Sequence, residues 1–450
     1  MERMILNRIT EHVDENLIPQ QAGFRPGKSC CAQILSLTQH VEDGYERNEI
    51  TGIAFLDLSA AYDTLFLYNY LKTATFPVAY NISLVARSNF LDLAGRSATA
   101  LLNDQPAHKD TTNFIYADDT AVTAQGANFE TVERKLEDAL QELSIYYREN
   151  NLRPNPTKSV VSAFHLKNRE AKRKLKVKWQ QQDLEHDFTP KYLGVKLDRS
   201  LTFKDHCLET KKKVSARNNI IRRLTGTTWG AQAHVLRTSA MALSLSAADY
   251  SSTVWRNSAH SKQVDVAIND AVRSITGCLK PTPVEKVYQL AGIAPPVIRR
   301  RVSAEIERLK QTTDERHPLH GHDTQRARLR SRKSFLRKTI PCPTTPETRR
   351  LQLWEEATGN PNLQEELADG HQLQYPVWKT LNRLRTGVTR CKVNLRKWGY
   401  ADEDGCDCGS IQTEAHLLTC PDLPETCTME DLKVANDKTI AVTRYWMNKI

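Results

Sequence analysis

The stretch NFIYADDTAV, residues 113–122, sets the tightest limit on what this chain can fold into. Asp118 and Asp119 are adjacent carboxylates between two short apolar runs, which read as the arms of a hairpin with a polar tip. Side-by-side carboxylates repel, and a bound cation is one way to relieve that repulsion. A cation site needs a further ligand from a neighbouring strand. The segment ITGIAFLDLSAAYDTL offers one, because a strand-like opening through Leu56 ends on Asp57 and a run of small residues follows. Mg²⁺ prefers carboxylate oxygen, and phosphoryl transfer uses two such ions roughly 3.5–4 Å apart to clamp the attacking and leaving oxygens.

Charge points to the same kind of chemistry. The net charge is +10 and the isoelectric point is near 9.0, a balance that favours a polyanionic partner. Residues 167–178 and 326–338 concentrate the positive charge and suit contacts to a phosphate backbone. No apolar run reaches the roughly 18 residues a membrane-spanning helix needs. The opening MERMILNRITEHVDENLIP reads as an amphipathic helix on Met4, Ile5, Ile9 and Val13, without the apolar core of a signal peptide. A nuclear or cytoplasmic protein, not secreted and without a membrane partner, is expected. The ten cysteines are irregularly spread apart from Cys406, Cys408 and Cys420; thiols rather than disulfides are expected, buried where they lie outside that cluster.

Several helices are marked in advance. Ser29 can cap one carrying Ile34, Leu37, Val41 and Tyr45. Residues 129–149 place Val132, Leu136, Ala139, Leu140, Leu143 and Tyr147 on one face, and Asn150, Asn151 and Pro154 end the helix. PKYLGVKLD reads as short strand. From about 205 to 310 the pattern is mainly helical. Thr282-Pro283-Val284-Glu285 reads as a capping box, with Val284, Val287, Tyr288 and Ala291 facing inward and Gly292 closing the helix. Ile298, Val302, Ile306 and Leu309 mark the next.

AFLDLSAAYD, FIYADD, RPNPTK and KYLGV, in that order and preceded by QAGFRPGKSC, resemble the palm of reverse transcriptases, with wording closest to jockey-type non-LTR retrotransposons. The resemblance implies an α+β fold: a fingers remnant over 1–50, a palm over 51–204, a helical thumb-like region over 205–310, a basic linker over 311–346 and a C-terminal region over 347–450. It implies RNA-directed DNA synthesis, with an RNA template, a DNA primer and deoxynucleoside triphosphates as partners. Asp57, Asp118 and Asp119 would hold two Mg²⁺ ions, with Leu58 offering a backbone carbonyl. Tyr62 would be the steric gate against a ribose 2′-OH, and Lys158 would stand near the triphosphate as a general acid. Arg25 and Lys28 would contact template or nucleotide, and Tyr192, Leu193 and Gly194 would form the primer grip.

Two family parts are missing from the sequence. No RPISLL-like strand precedes Met1, and residues 58–117 contain no Pro-Gln-Gly motif, although RSNFLDLAGRS and LLNDQP resemble its flanks. A truncated, internally deleted copy is therefore expected, with a catalytically inactive nucleic-acid-binding relic as the alternative to an active polymerase. Further on, Cys406-x-Cys408-x₇-His416-x₃-Cys420 has the donors and spacing of a structural Zn²⁺ knuckle over 406–420.

Overall fold

A computed structural model describes residues 18–450 apart from 19, 24, 26, 59–104, 151, 227–229, 323–327 and 448. Tyr62, the Met4–Val13 run and the RSNFLDLAGRS segment lie outside the described residues. The fold is mixed α+β, as expected, and divides into two compact units. The first takes Met1–His206, Thr253–Ala259 and Ala304–Pro343, and the second takes Cys207–Ser252, His260–Ser303 and Thr344–Ile450.

The first unit is built on a five-stranded sheet of order β2-β3-β1-β4-β7. Its strands are β1 (Ile50–Leu56), β2 (Thr111–Tyr116), β3 (Asp119–Gly126), β4 (Val160–Phe164) and β7 (Glu185–His186); β5 (Lys178–Trp179) and β6 (Gln182–Asp183) form a small hairpin beside it. β1 is central, antiparallel to both β3 and β4, and buried along its whole length. Continuous burial means that both faces are covered. Helix α1 (Cys30–Glu46) lies on one face, where a Cβ on its Gly44 would meet Thr51 Oγ1 of β1 at 2.6 Å. Helix α2 (Phe129–Glu149) lies on the other, and its Val132, Leu136, Ala139, Leu140 and Leu143 share one apolar core with Ile50, Ala54, Leu56 and Val122. Gly52 sits under Val132 and Leu136, where any side chain would collide. The first helix starts at its expected cap, with Ser29 accepting from Ala32 N, and Asn128, not marked in advance, caps α2 by accepting from Thr131 N.

Arg328, Arg332 and Arg337 of the second basic segment bond back onto the fold, while Arg330 is exposed. Arg332 pairs with Glu42, stacks its guanidinium 4.7 Å from the Tyr45 ring and donates to Ser200 O at 3.0 Å. Arg337 and Arg328 both engage Glu46. In the first basic segment, Arg173 pairs with Glu130 and Glu170 and lies over Phe129, while Arg169, Lys172 and Lys174 stay exposed.

The second unit is helical: α3 (Lys204–Arg223, its first turn in the first unit), α4 (Ala233–Ala240), α5 (Ser261–Thr276), α6 (Val284–Ala291), the first half of α7 (Pro296–Thr313), α8 (Pro346–Thr358) and α9 (Tyr375–Thr386). The four closing carbonyls of α5 are each met by a side chain of α9. Tyr375 Oη donates to Ser274 O at 2.9 Å, Trp378 Nε1 to Ile275 O at 3.0 Å, Asn382 Nδ2 to Thr276 O at 2.9 Å, and Arg383 Nε to Gly277 O at 3.1 Å. A helix end leaves such carbonyls without intrahelical partners, and here tertiary packing supplies them.

The expected capping box does not form. Pro283 is the N-cap of α6, so the helix begins one residue later than a Thr282 cap requires. The Thr282 hydroxyl is buried without a hydrogen-bond partner. Val284 is 38% exposed rather than inward-facing, while Val287, Tyr288 and Ala291 are buried. Gly292 closes α6 in the left-handed region at φ 59°, as expected. All ten cysteines are free thiols, although Cys30, Cys31 and Cys342, expected to be buried, are only half-buried. None of the described helices is long and apolar enough to cross a membrane.

Candidate active site and metal centre

Strand register brings the aspartates to one edge. Leu56 of β1 pairs with Thr120 of β3, so Asp57 and Asp119 are the next residues on facing strands. Asp118 occupies the turn between β2 and β3, which is closed by Ala117 at φ 56°. Crowding by protein atoms, then the charges of Asp118 and Asp57, push the Asp119 carboxyl up to about 6. Asp119 as a whole is exposed, so the two neighbouring charges are the cause that geometry supports best.

The backbone of Asp57 is held by the turn that carries Lys158. Asp57 N donates to Ser159 Oγ at 3.0 Å, and Asp57 O accepts from Asn155 N at 2.8 Å. Leu58 bridges to Pro154. Lys158, in the same turn and exposed, is thereby tied to the aspartate edge.

A buried amide that sequence reasoning missed locks the aspartate turn. Gln21 is fully buried; its Oε1 accepts from Gly23 N and from Ala117 N, each at 2.9 Å, and its Nε2 donates to Ala117 O at 3.3 Å. Ala22 N adds a bond to Ile115 O at 2.9 Å. Gly23 packs so tightly on the Ala117 backbone that a Cβ would overlap it. The QAGFRPGKSC segment therefore clamps the turn from behind. Within it, Arg25 donates to Ile18 O at 2.8 Å and Lys28 to Gln21 O at 3.0 Å, so both cations close the local loop.

Tyr192, Leu193 and Gly194 form a hairpin between β8 (Lys191–Tyr192) and β9 (Val195–Lys196), with Leu193 at φ 43° and Gly194 at φ 84°. Two successive positive φ values mark the tight two-residue turn of such hairpins. Tyr192 is buried 5.7 Å ring to ring from Phe55 and donates to Phe114 O at 3.3 Å. The hairpin is thus anchored to β1 and β2, the strands that lead into Asp57 and into the Asp118 turn.

The cysteine cluster converges as its spacing suggests. The ligand atoms of Cys406, Cys408, His416 and Cys420 all lie within 4.8 Å of one another. A tetrahedral ion with zinc–sulfur bonds of about 2.3 Å sets its sulfurs about 3.8 Å apart. Cys406 and Cys420 Sγ are 3.9 Å apart, and Cys408 Sγ is 3.4 Å from His416 Nε2. Gly409 turns the chain at φ 89°, and Gln412 Nε2 donates to Cys406 Sγ at 3.7 Å. Burial opposes ionisation of Cys406, but the Cys408 N–H, His416 and Gln412 outweigh it and bring the thiol down to about 6. Burial pushes Cys420 up to about 11, with Cys408 and Cys406 adding to it. Short helices α10 (Lys392–Lys397), α11 (His416–Thr419), α12 (Met429–Val434) and α13 (Asp437–Trp446) surround the knuckle, and Trp446 Nε1 donates to Leu417 O at 2.7 Å. Among the described residues this is the one cluster of three or more potential ligands that converges in this way. The three aspartates share a strand edge, but their carboxylates do not converge as the knuckle ligands do.

Comparison with known proteins finds two transposon proteins similar to this chain. The chain is 26% identical over 329 residues to the "Probable RNA-directed DNA polymerase from transposon BS" of Drosophila melanogaster, covering 62% of this chain and 35% of that protein. It is 23% identical over 342 residues to the "Probable RNA-directed DNA polymerase from transposon X-element" of the same organism, covering 65% and 36%. This chain is a relative of transposon reverse transcriptases. It spans about a third of the length of the curated relatives it matches. No protein-family model matches it.

Proposed function

We propose that the chain carries the nucleotidyl-transfer site of an RNA-directed DNA polymerase, working on an RNA template, a DNA primer and deoxynucleoside triphosphates. The observation that carries this reading is the register that sets Asp57 beside Asp119, with Asp118 in the adjoining turn. Three carboxylates at one strand edge suit hard divalent ions such as Mg²⁺, which would supply Lewis-acid stabilisation of the charge that develops during transfer. The protein's own part is positional. Asn155 and Ser159 fix the Asp57 backbone, Gln21 fixes the turn beside Asp118, and the Tyr192 hairpin is anchored next to both, in place to hold a primer end. Lys158 stands on the turn that holds Asp57, where it can meet a triphosphate and deliver a proton to leaving pyrophosphate. The cysteine–histidine knuckle would hold a structural Zn²⁺.

A second reading, a chain that binds nucleic acid without extending it, is favoured by residues 58–117, which contain no Pro-Gln-Gly motif. Primer extension separates the two. Purified protein that adds deoxynucleotides to an RNA-annealed DNA primer in Mg²⁺, with all addition lost in Asp118→Ala, supports the polymerase. Primer binding without any addition supports the second reading.

A further inference from the structure

Three cations gather in the second unit where α9 meets the end of α5. Lys379 and Arg383 lie one helical turn apart on α9, on the same face. The Lys379 stem packs against Gly277, where a Cβ would lie 2.5 Å from Lys379 Cγ. Arg383 donates to Gly277 O at 3.1 Å and to Ile450 O at 3.3 Å, and so is braced against backbone. Arg390 is exposed, just beyond Gly387, the C-cap of α9. Burial, then the neighbouring cations, lower the pKa of Lys379, and burial, then Arg390, lower that of Arg383. Among the described residues, the leading charges acting on Lys379 and Arg383 are cations rather than aspartate or glutamate.

Like charges drawn together and partly withdrawn from water cost free energy that a bound anion would recover. The arrangement mirrors the aspartate edge with the sign reversed. We propose that Lys379, Arg383 and Arg390 form a binding site for the phosphates of a nucleic-acid strand, separate from the aspartate edge. Chemistry favours that ligand: guanidinium forks take phosphate oxygens in pairs and an ammonium adds a compact charge. A strand rather than a single free phosphate is favoured because the cations are spread along α9 and past its end, and because the chain's net charge of +10 adds long-range attraction for a polyanion.

The test uses the full chain with zinc and without magnesium, so that it is independent of any extension activity. Anisotropy of a labelled single-stranded RNA is followed over a salt series for the protein and for the double variant Lys379→Gln, Arg390→Gln, which leaves the Arg383 bonds in place. Each lost phosphate contact should flatten the slope of log affinity against log salt by about 0.7. The double variant should therefore bind more weakly by a similar factor on unrelated sequences, with a slope shallower by about 1.4. Unchanged affinity and slope overturn the proposal. So does loss of inorganic phosphate binding while RNA binding stays intact. Should the double variant melt at a lower temperature, the exposed Arg390→Gln alone decides: a slope shallower by about 0.7 upholds the site and an unchanged slope overturns it.

Discussion

Replacing Gln21 by leucine keeps most of the buried volume and removes the side-chain hydrogen bonds of Gln21 at the aspartate turn, leaving the Ala22 N bond to Ile115 O in place. Two backbone N–H groups, of Gly23 and Ala117, lose their acceptor, and Ala117 O loses a longer bond. An unsatisfied buried donor costs about 1–3 kcal/mol, so the pair should cost about 2–6 kcal/mol. That is a large share of the roughly 5–15 kcal/mol that holds a domain together. Urea denaturation followed by fluorescence, which senses the buried Trp179 of the first unit, reads the loss directly. Hydrogen exchange at the Ala117 amide reads it locally, because that amide donates to the Gln21 side chain. The variant should show a lower midpoint with an unchanged m-value and faster exchange at Ala117. A change below about 0.5 kcal/mol, with exchange at Ala117 unaltered, would refute the claim that this amide holds the turn; surface substitutions have effects of that size.

Other perturbations probe separate parts of the account. Asn382→Leu strands the Thr276 carbonyl at the end of α5 and should cost about 1–3 kcal/mol in urea denaturation of the second unit. His165 is 1% exposed, and burial followed by the Arg199 charge lowers it to about 4. A folded value below the ordinary one near 6.5 means stability is complete above that pH and is lost as pH falls toward 4, by roughly 2–3 kcal/mol; His165→Gln should flatten this part of the stability–pH curve. Removal of metal by a chelator, or Cys420→Ser, should release hydrogen-exchange protection across 400–446, and elemental analysis should find about one zinc per chain; retained protection without zinc would contradict the knuckle.

What could be read in the sequence was what is local and periodic. The amphipathic spacing of α2, the Ser29 cap of α1, the run into Asp57 and the polar tip at Asp118-Asp119 all declare themselves within twenty or so residues, about the span of one helix. The Cys-x-Cys and His-x₃-Cys spacings did the same for the knuckle. What stayed hidden depends on partners far along the chain. Gln21 is one buried amide whose partner lies 96 residues away, so no spacing marks it. The basic linker looked like an open phosphate-binding surface, but Arg332 finds Glu42 some 290 residues distant and is taken up inside the fold. The α5 carbonyls are met by Trp378 and Asn382, more than 100 residues on. Thr282 misled because the residue types of a capping box were present while Pro283 took the cap position itself.

The account rests most heavily on the aspartate edge being a site for divalent ions. Titration of Mn²⁺, a paramagnetic stand-in for Mg²⁺, followed by electron paramagnetic resonance of the free ion, tests this without requiring catalysis. In the presence of a primer–template and a deoxynucleoside triphosphate, the account predicts that the protein takes up Mn²⁺ beyond what the nucleotide alone binds, and that this uptake disappears in the Asp57→Asn, Asp118→Asn double variant. Equal uptake by the protein and by that variant, both folded, would contradict it.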